Sequence, residues 1–146
     1  MSVVTDANLP RLLASAQRTL TAELVAELDE RGWPDLRSSH AAALLQVDRR
    51  TGTRLSDVAR RAGVTKQAVM VVVDELEVRG LVRRTPDPED GRAKMVRLTA
   101  RGRTCAAECR RALAAVDARA RRVLGGRRHD GLREALEILL EAGEGA

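Results

Sequence analysis

The stretch GVTKQAVMVVVDELEVRGLVRR, residues 63–84, decides how the rest of the chain is interpreted. Its valine-rich centre is typical of a β-strand. Thr65, however, is a residue type favoured at helix N-caps, and Gly80 is a typical helix stop. The apolar residues between them recur at the spacing of one helix face: Val69, Val72, Val73 and Leu76. The stretch therefore predicts a helix from Thr65 to Arg79 with a buried valine face, because packing can override the weak helix propensity of valine.

The positive charge of the chain is concentrated in its middle. The 146 residues carry a formal net charge of +5; residues 51–104 carry +5, residues 1–50 carry −1 and residues 105–146 carry +1. A basic centre between near-neutral ends predicts a module that meets a polyanion, although composition leaves a solvated basic surface open as the alternative. Trp33 is the only aromatic residue, which argues against base stacking on aromatic platforms. Any nucleic acid partner is therefore expected to be duplex.

The sequence also predicts where the protein works and what it does not do. Its longest apolar run, AVMVVV at residues 68–73, is too short to cross a membrane, and the N-terminus has no signal pattern. We therefore expect a cytoplasmic protein without membrane contact. No nucleophile elbow, phosphate loop or metal-ligand motif is present in the sequence, so we expect no enzyme activity, catalytic residue, metal or cofactor.

Periodicity and turn signals predict six helices and one hairpin. Ser38 or Ser39 is expected to cap the second helix, Ser56 the third, and Thr99 the fifth. The predicted elements are helices over residues 8–30, 40–50, 57–62, 66–79, 99–124 and 129–142, and strands over residues 81–85 and 94–98.

The order of these elements indicates a fold class. A short helix, a tight turn at Gly63, a second helix and a hairpin follow one another as in a winged helix-turn-helix. The expected fold class is therefore mainly α with a small β-wing, in which a winged helix-turn-helix lobe is flanked by long helices.

The front of the helix over residues 66–79 is expected to bind DNA. The second helix of a helix-turn-helix enters the major groove, and its N-terminal residues touch the base edges. The exposed positions there are Lys66, Gln67 and Met70. Lys66 suits a phosphate or guanine, and Gln67 carries the donor and acceptor pair that suits adenine. Thr65 can cap the helix and also meet a phosphate.

The hairpin is expected to supply a second DNA probe. Arg92 follows the Asp90–Gly91 turn signal on a loop stiffened by two prolines. An arginine at a hairpin tip can enter a minor groove, most favourably a narrow A·T groove. Four further basic residues of the hairpin are expected to contact phosphates: Arg83, Arg84, Lys94 and Arg97.

Residues 55–103, LSDVARRAGVTKQAVMVVVDELEVRGLVRRTPDPEDGRAKMVRLTARGR, resemble the DNA-binding lobe of the multiple-antibiotic-resistance regulator (MarR) family. The most specific part is the wing, DPEDGRAKMVRLTARGR, with its acidic-x-Arg tip and LT-x-RG exit.

The resemblance implies a single domain over residues 1–146, with a winged helix-turn-helix lobe at 38–98 and dimerisation helices at 8–33 and 99–142. It also implies that Asp90 orients the wing and that Arg92 probes the minor groove. The apolar Met70–Val71 pair departs from the family pattern: it removes a phosphate contact and suits contact with thymine methyls instead.

The long helices are expected to form a homodimer. They carry more apolar surface than a small monomer can hide. The residues concerned are Leu9, Leu12, Leu13, Leu132, Leu136, Ile138, Leu139 and Leu140. A two-fold dimer requires palindromic double-stranded DNA with half-sites about one helical turn apart.

The resemblance implies a repressor that a small-molecule effector releases from DNA. The resemblance places the effector site where the first, second and fifth helices meet, near Trp33, Arg37 and His40. An aromatic ring beside cationic or polar groups suits a flat aromatic or weakly acidic ligand. Simple packing of Trp33 at a helix corner is the alternative.

Two other functions remain open from the sequence. Cys105 and Cys109 lie one helical turn apart and would form an oxidation sensor if their thiols were reactive, although filling of the helix interface is the simpler interpretation. The fold would also serve an architectural or protein-binding winged-helix protein without a defined operator.

Overall fold

The computed structural model describes residues 7–145. Residues 1–6 and 146 of the expected single domain lie outside this range. In chain order the elements are α1 (Leu9–Glu30), α2 (Ser38–Leu45), β1 (Thr53–Arg54), α3 (Leu55–Ala62), α4 (Lys66–Val78), β2 (Val82–Pro86), β3 (Lys94–Leu98), α5 (Ala100–Leu124) and α6 (Gly126–Glu144). The expected fold class, mainly α with a small β-wing, is confirmed.

Three helices begin at side-chain caps. The Asn8 side chain accepts from the Arg11 N–H at 3.2 Å, and the Thr65 hydroxyl accepts from the Ala68 N–H at 3.1 Å. The Thr99 hydroxyl accepts from a backbone N–H in the first turn of α5 at 3.0 Å. Each cap satisfies a backbone donor that has no partner within its helix. The helix starts predicted at Thr65 and Thr99 are confirmed.

Two other predicted caps are wrong. α3 begins at Leu55 with Arg54 in the N-cap position, so Ser56 lies inside its first turn. α2 begins at Ser38 with Arg37 as the N-cap, and the Nδ1 atom of His40 accepts the Arg37 backbone N–H at 3.0 Å. A histidine in the first turn therefore bonds back to the amide of the N-cap residue, and neither Ser38 nor Ser39 occupies the N-cap position.

α2 is also shorter than predicted. It ends at Leu45 and not at Arg50. The Asp48 carboxylate accepts from the backbone N–H groups of Arg50 and Thr51 at 2.8 and 2.9 Å. This local turn competes with the helix for the same backbone donors, which is common for aspartate.

The sheet has three antiparallel strands in the order β1–β3–β2. The hairpin formed by β2 and β3 is the predicted wing, in the register Val82 to Leu98. β1 was not predicted because it has only two residues, of which Thr53 pairs with Val96. Gly52 precedes it with φ +72°, and a Cβ there would lie 2.8 Å from the Val96 carbonyl oxygen.

The core joins the valine face of α4 to the remaining elements. Val69, Val73 and Leu76 are buried, and Val72 is half-buried. They share one apolar cluster with residues of α1, α2, α3, the sheet and α5, among them Leu28, Leu44, Val58, Val96 and Ala106. Residues 69–73 have the composition of a strand but form a helix, because burial of the valine face compensates for the weak helix propensity of valine.

The two long terminal regions leave apolar side chains in solvent. Leu9, Leu12, Leu132, Ile138, Leu139 and Leu140 are exposed. An open groove of about 720 Å³ runs between α1, α5 and α6, and Leu13 and Leu136 lie in its lining. No helix within residues 7–145 is long and apolar enough to cross a membrane.

Candidate nucleic-acid interface

The front of α4 projects from the surface as a set of exposed side chains. Thr65, Lys66, Gln67 and Met70 are all exposed, whereas Val69 on the opposite side is buried. The Thr65 cap ends the preceding turn and starts the helix, so the side chains after it lie at a free helix N-terminus. That end of a helix favours anions because its backbone N–H groups and dipole point outward.

A left-handed glycine sets the angle between α3 and α4. Gly63 has φ +69° and ends α3, and the N–H of Val64 donates to the Ala59 carbonyl at 3.0 Å. This closes α3 within one residue and lets the chain start α4 at Thr65. A short turn of this kind between two helices is the helix-turn-helix arrangement.

The tip of the wing is shaped by Asp90. Its carboxylate accepts from the Arg92 N–H at 3.1 Å, and its carbonyl accepts from the Ala93 N–H at 3.0 Å. Arg92 itself is exposed. Asp90 therefore forms the tight turn on which the guanidinium of Arg92 projects into solvent.

The root of the wing is held by a residue that the sequence reasoning did not single out. Asp87 is only 5% exposed. One carboxylate oxygen accepts from the Glu89 N–H at 3.0 Å, and the other accepts from Arg54 Nε at 2.6 Å. The Glu89 N–H and the Arg54 guanidinium hold the pKa of Asp87 below its ordinary value. The Asp–Pro sequence before the turn is the signal that would have found it, because aspartate commonly accepts from the backbone two residues on.

The four basic residues predicted to contact phosphates divide into two groups. Arg83 and Lys94 are exposed. Arg84 donates to Asp74 at 2.5 Å and to the Met70 carbonyl at 3.3 Å, which ties the wing to α4.

Arg97, the fourth, is engaged within the sheet region. It donates to the Thr51 carbonyl at 2.8 Å and to the Thr85 hydroxyl at 3.1 Å. Arg83 and Lys94 therefore remain the stronger candidates for phosphate contacts, because the guanidiniums of Arg84 and Arg97 already have partners inside the protein.

The residues of the expected effector site fall into two places. Arg37 and His40 lie together, and both bond to Glu75 of α4, with His40 Nε2 at 2.5 Å from Glu75 Oε2. Trp33 lies beside Arg101, whose guanidinium carbon is 5.4 Å from the centre of the indole ring. The structure thus joins Arg37 to His40 but pairs Trp33 with a residue of α5.

Trp33 lines a cavity of about 300 Å³. Its other walls come from the α1–α2 turn, the end of α4 and the start of α5, and they include Leu36, Arg79 and Arg101. Arg79 donates to the Asp35 carbonyl at 2.9 Å. Among residues 7–145 neither of the two arginines is paired with a carboxylate, so the cavity has a positive wall.

The two cysteines face the core. Cys105 and Cys109 are free thiols without solvent exposure. A hydrogen bond to the Cys109 thiol and burial raise the pKa of Cys105. Within the described part of the chain, no group of three histidine, cysteine or acidic side chains is placed to hold a metal ion.

A capped helix-turn-helix followed by an arginine-tipped hairpin defines a winged helix-turn-helix protein. The MarR family model matches residues 35–93. The HTH-type transcriptional repressor Rv2887 of Mycobacterium tuberculosis is 34% identical over 119 residues, which span 82% of this chain and 84% of that protein. The chain therefore belongs to the MarR family of transcriptional regulators.

Two solved structures show the same fold. The transcriptional repressor CouR bound to a 23-mer DNA duplex has a TM-score of 0.80 at 25% identity, covering 91% of this chain and 92% of that one. The Rv2887 protein in complex with salicylic acid has a TM-score of 0.70 at 31% identity, covering 94% and 99%.

Proposed function

We propose that this regulator is a cytoplasmic repressor that binds a specific duplex operator as a homodimer and leaves it when a small organic anion binds. The observation that carries the proposal is the front of α4. Lys66 and Gln67 project from a helix whose opposite face is locked into the core by Val69 and Val73. A rigid back and a polar, exposed N-terminal front are what major-groove recognition requires.

The wing extends the same surface to a second groove. Arg92 projects from the turn that Asp90 shapes, and Arg83 and Lys94 are exposed on the same hairpin. Arginine in a narrow minor groove and lysine or arginine on phosphates provide contacts that base readout alone does not. That the neighbour CouR was solved on a DNA duplex supports this arrangement.

The homodimer is proposed from the apolar groove between α1, α5 and α6. A groove of about 720 Å³ lined by Leu12, Leu113 and Leu132, together with the exposed Leu139 of α6, is a large apolar surface for a monomer of this size. A second copy that inserts its own α1 and α6 would cover these side chains symmetrically.

Sedimentation velocity at micromolar protein tests the dimer. The parent is expected to sediment as a dimer, and Leu132→Asp as a monomer, because a carboxylate would be buried in the interface. Val123→Asp is the matched control, since Val123 is exposed on α5 and does not line the groove. A monomeric parent would contradict the dimer and the palindromic operator together.

The effector is proposed to bind in the cavity beside Trp33. A ring beside the guanidiniums of Arg79 and Arg101, neither of which meets a carboxylate within residues 7–145, suits a flat anion, and the relative Rv2887 was solved with salicylic acid. Arg37 and His40 form the other candidate place, although their polar groups are already bonded to Glu75.

Selection from a random duplex library with purified protein tests operator binding. We expect an enriched palindrome whose affinity exceeds that of unrelated duplex by roughly 10³-fold or more at the same salt concentration. An architectural winged-helix protein would bind both duplexes with nearly equal affinity. That result would contradict the proposal.

A further inference from the structure

The ion pair between Arg54 and Asp87 joins the wing to the helix-turn-helix. Arg54 is the last residue of β1 and the N-cap of α3, so its backbone belongs to the first helix of the helix-turn-helix. Asp87 lies directly after β2, at the start of the wing loop. The Nε of Arg54 donates to Asp87 at 2.6 Å, and its Nη2 lies 3.5 Å from Glu89.

Asp87 uses its two carboxylate oxygens in different directions. One accepts the Glu89 N–H within the wing loop, and the other accepts Arg54 from the body of the lobe. The backbone N–H of Asp87 also donates to the Ala93 carbonyl at 3.1 Å, on the far side of the loop. One buried side chain therefore shapes the loop that carries Arg92 and fixes that loop to α3.

We propose that the Arg54–Asp87 pair sets the position of the wing relative to α4, so that both are positioning residues for the minor-groove contact of Arg92. The inference rests on the DNA-binding function proposed above. It adds to the expectation that Asp90 orients the wing: Asp90 forms the turn at the tip, whereas Asp87 holds the loop at its root.

The alternative is that Arg54 itself contacts a phosphate. Its guanidinium, however, is shared between Asp87 and Glu89. Its Nε is held by Asp87, so a phosphate could be met only by the outer Nη atoms, of which Nη2 already lies 3.5 Å from Glu89. Arg83 and Lys94 are exposed and are therefore the stronger candidates for phosphate contacts.

Three variants separate these possibilities. Asp87→Asn and Arg54→Gln each remove one half of the pair with little change in shape. Arg60→Gln is the matched control, because it also removes one positive charge from the helix-turn-helix but breaks only the exposed pair with Asp57. Arg54→Lys keeps the charge without the Nε donor and serves as a milder variant if Arg54→Gln does not fold.

Amide hydrogen exchange on the DNA-free protein reports how firmly the wing loop is held. We expect exchange at Glu89 and Ala93 to be about tenfold faster in Asp87→Asn and Arg54→Gln, with thermal unfolding still cooperative, and unchanged in Arg60→Gln. Parental exchange at both amides in the two variants would overturn the proposal.

Affinity for operators with A·T-rich and G·C-rich flanks reports the consequence for DNA. Both variants should lose most of the flank preference that Arg92 provides, and the double variant should lose no more than either single one. If Asp87→Asn tightened binding while Arg54→Gln weakened it equally on all flanks, Arg54 would be a phosphate contact and the proposal would fall. If the parent selected no operator while exchange responded as expected, the wing anchor would stand and the proposed function would fail.

Discussion

His40 of α2 and Glu75 of α4 are joined by a hydrogen bond of 2.5 Å between Nε2 and Oε2. Because His40 Nδ1 accepts the backbone N–H of Arg37, the proton of the neutral ring lies on Nε2 and is donated to Glu75. Arg37 also bonds to Glu75, so a single carboxylate fastens the start of α2 to α4. Burial lowers the pKa of His40, and the His40 and Arg37 hydrogen bonds lower the pKa of Glu75.

The first prediction follows from these two pKa directions. Since the pKa of His40 is lower in the folded chain than its ordinary value of about 6.5, the unfolded chain takes up the proton first as the pH falls. The free energy of unfolding should therefore be highest above about pH 6.5 and decline below it; Glu75 adds a decline of the same sign at lower pH. Urea unfolding at a series of pH values measures this.

A His40→Gln variant provides the control for that prediction. Glutamine can still donate to Glu75 but takes up no proton, so the decline just below pH 6.5 should become shallower. A parental slope in the variant would show that His40 is not the group responsible.

The second prediction concerns Gly102 in the first turn of α5. A Cβ at this position would overlap the carbonyl oxygen of Leu81, so α5 can lie against the backbone just before β2 only because the residue is glycine. Gly102→Ala should destabilise the fold by about 3 kcal/mol or more, since backbone must shift to make room. Gly131 lies in α6 with no atom near its Cβ position, and Gly131→Ala should change stability by about 1 kcal/mol at most. Equal effects of the two substitutions in urea unfolding would contradict this explanation.

Local signals in the sequence were sufficient for most of the fold. The caps at Thr65 and Thr99, the stop at Gly80 and the Asp–Gly turn each act over a few residues, and the structure places all of them as predicted. What failed also has a local cause. α2 begins one position earlier than a serine cap would allow, with His40 bonded to the Arg37 amide, and the Asp48 turn ends that helix early.

Long-range partners could not be obtained in the same way. Nothing near Arg54 in sequence indicates that it meets Asp87, which is 33 residues away. Arg84 and Arg97 are basic residues of the kind that binds phosphate. Only the folded structure shows that their guanidiniums are bonded to protein groups. Basic residues that are exposed and basic residues that anchor the wing are indistinguishable in sequence.

The third prediction concerns Gln67 as a base-reading residue. Gln67→Ala should weaken binding to the selected operator by about 1–3 kcal/mol and relax the base preference at one position of each half-site. Glu77→Gln, on the C-terminal part of α4, should leave the selected sequence unchanged. Competition binding against operators substituted one base pair at a time measures both the loss of affinity and the base preference at each position. An unaltered preference in Gln67→Ala would mean that another side chain reads that base.

The fourth prediction concerns Arg92 at the tip of the wing. Arg92→Ala should weaken binding most where the flanks are A·T-rich, because a narrow minor groove concentrates negative potential. It should also lower the slope of log affinity against log salt by about one. Arg83→Ala, by comparison, should lower the affinity by a similar factor on every flank. If Arg92→Ala showed that same uniform loss, Arg92 would be contacting phosphate and not the groove.

The last prediction concerns the cavity beside Trp33. Trp33 is the only tryptophan in the chain, and there is no tyrosine, so intrinsic emission reports this one position. Salicylate is a suitable first probe because it is flat and anionic, as the ring and the two guanidiniums require. Its addition should change Trp33 emission, after correction against free N-acetyltryptophanamide, over the same concentration range that releases operator DNA.

Arg101→Gln should weaken this response by about tenfold, since a charge-assisted contact of about 1.4 kcal/mol is lost. Arg37→Gln is the matched comparison: it removes the same charge from the Glu75 cluster and should leave the response intact. If Arg37→Gln abolished the response while Arg101→Gln preserved it, the effector would bind beside Arg37 and His40, and the cavity at Trp33 would serve packing alone.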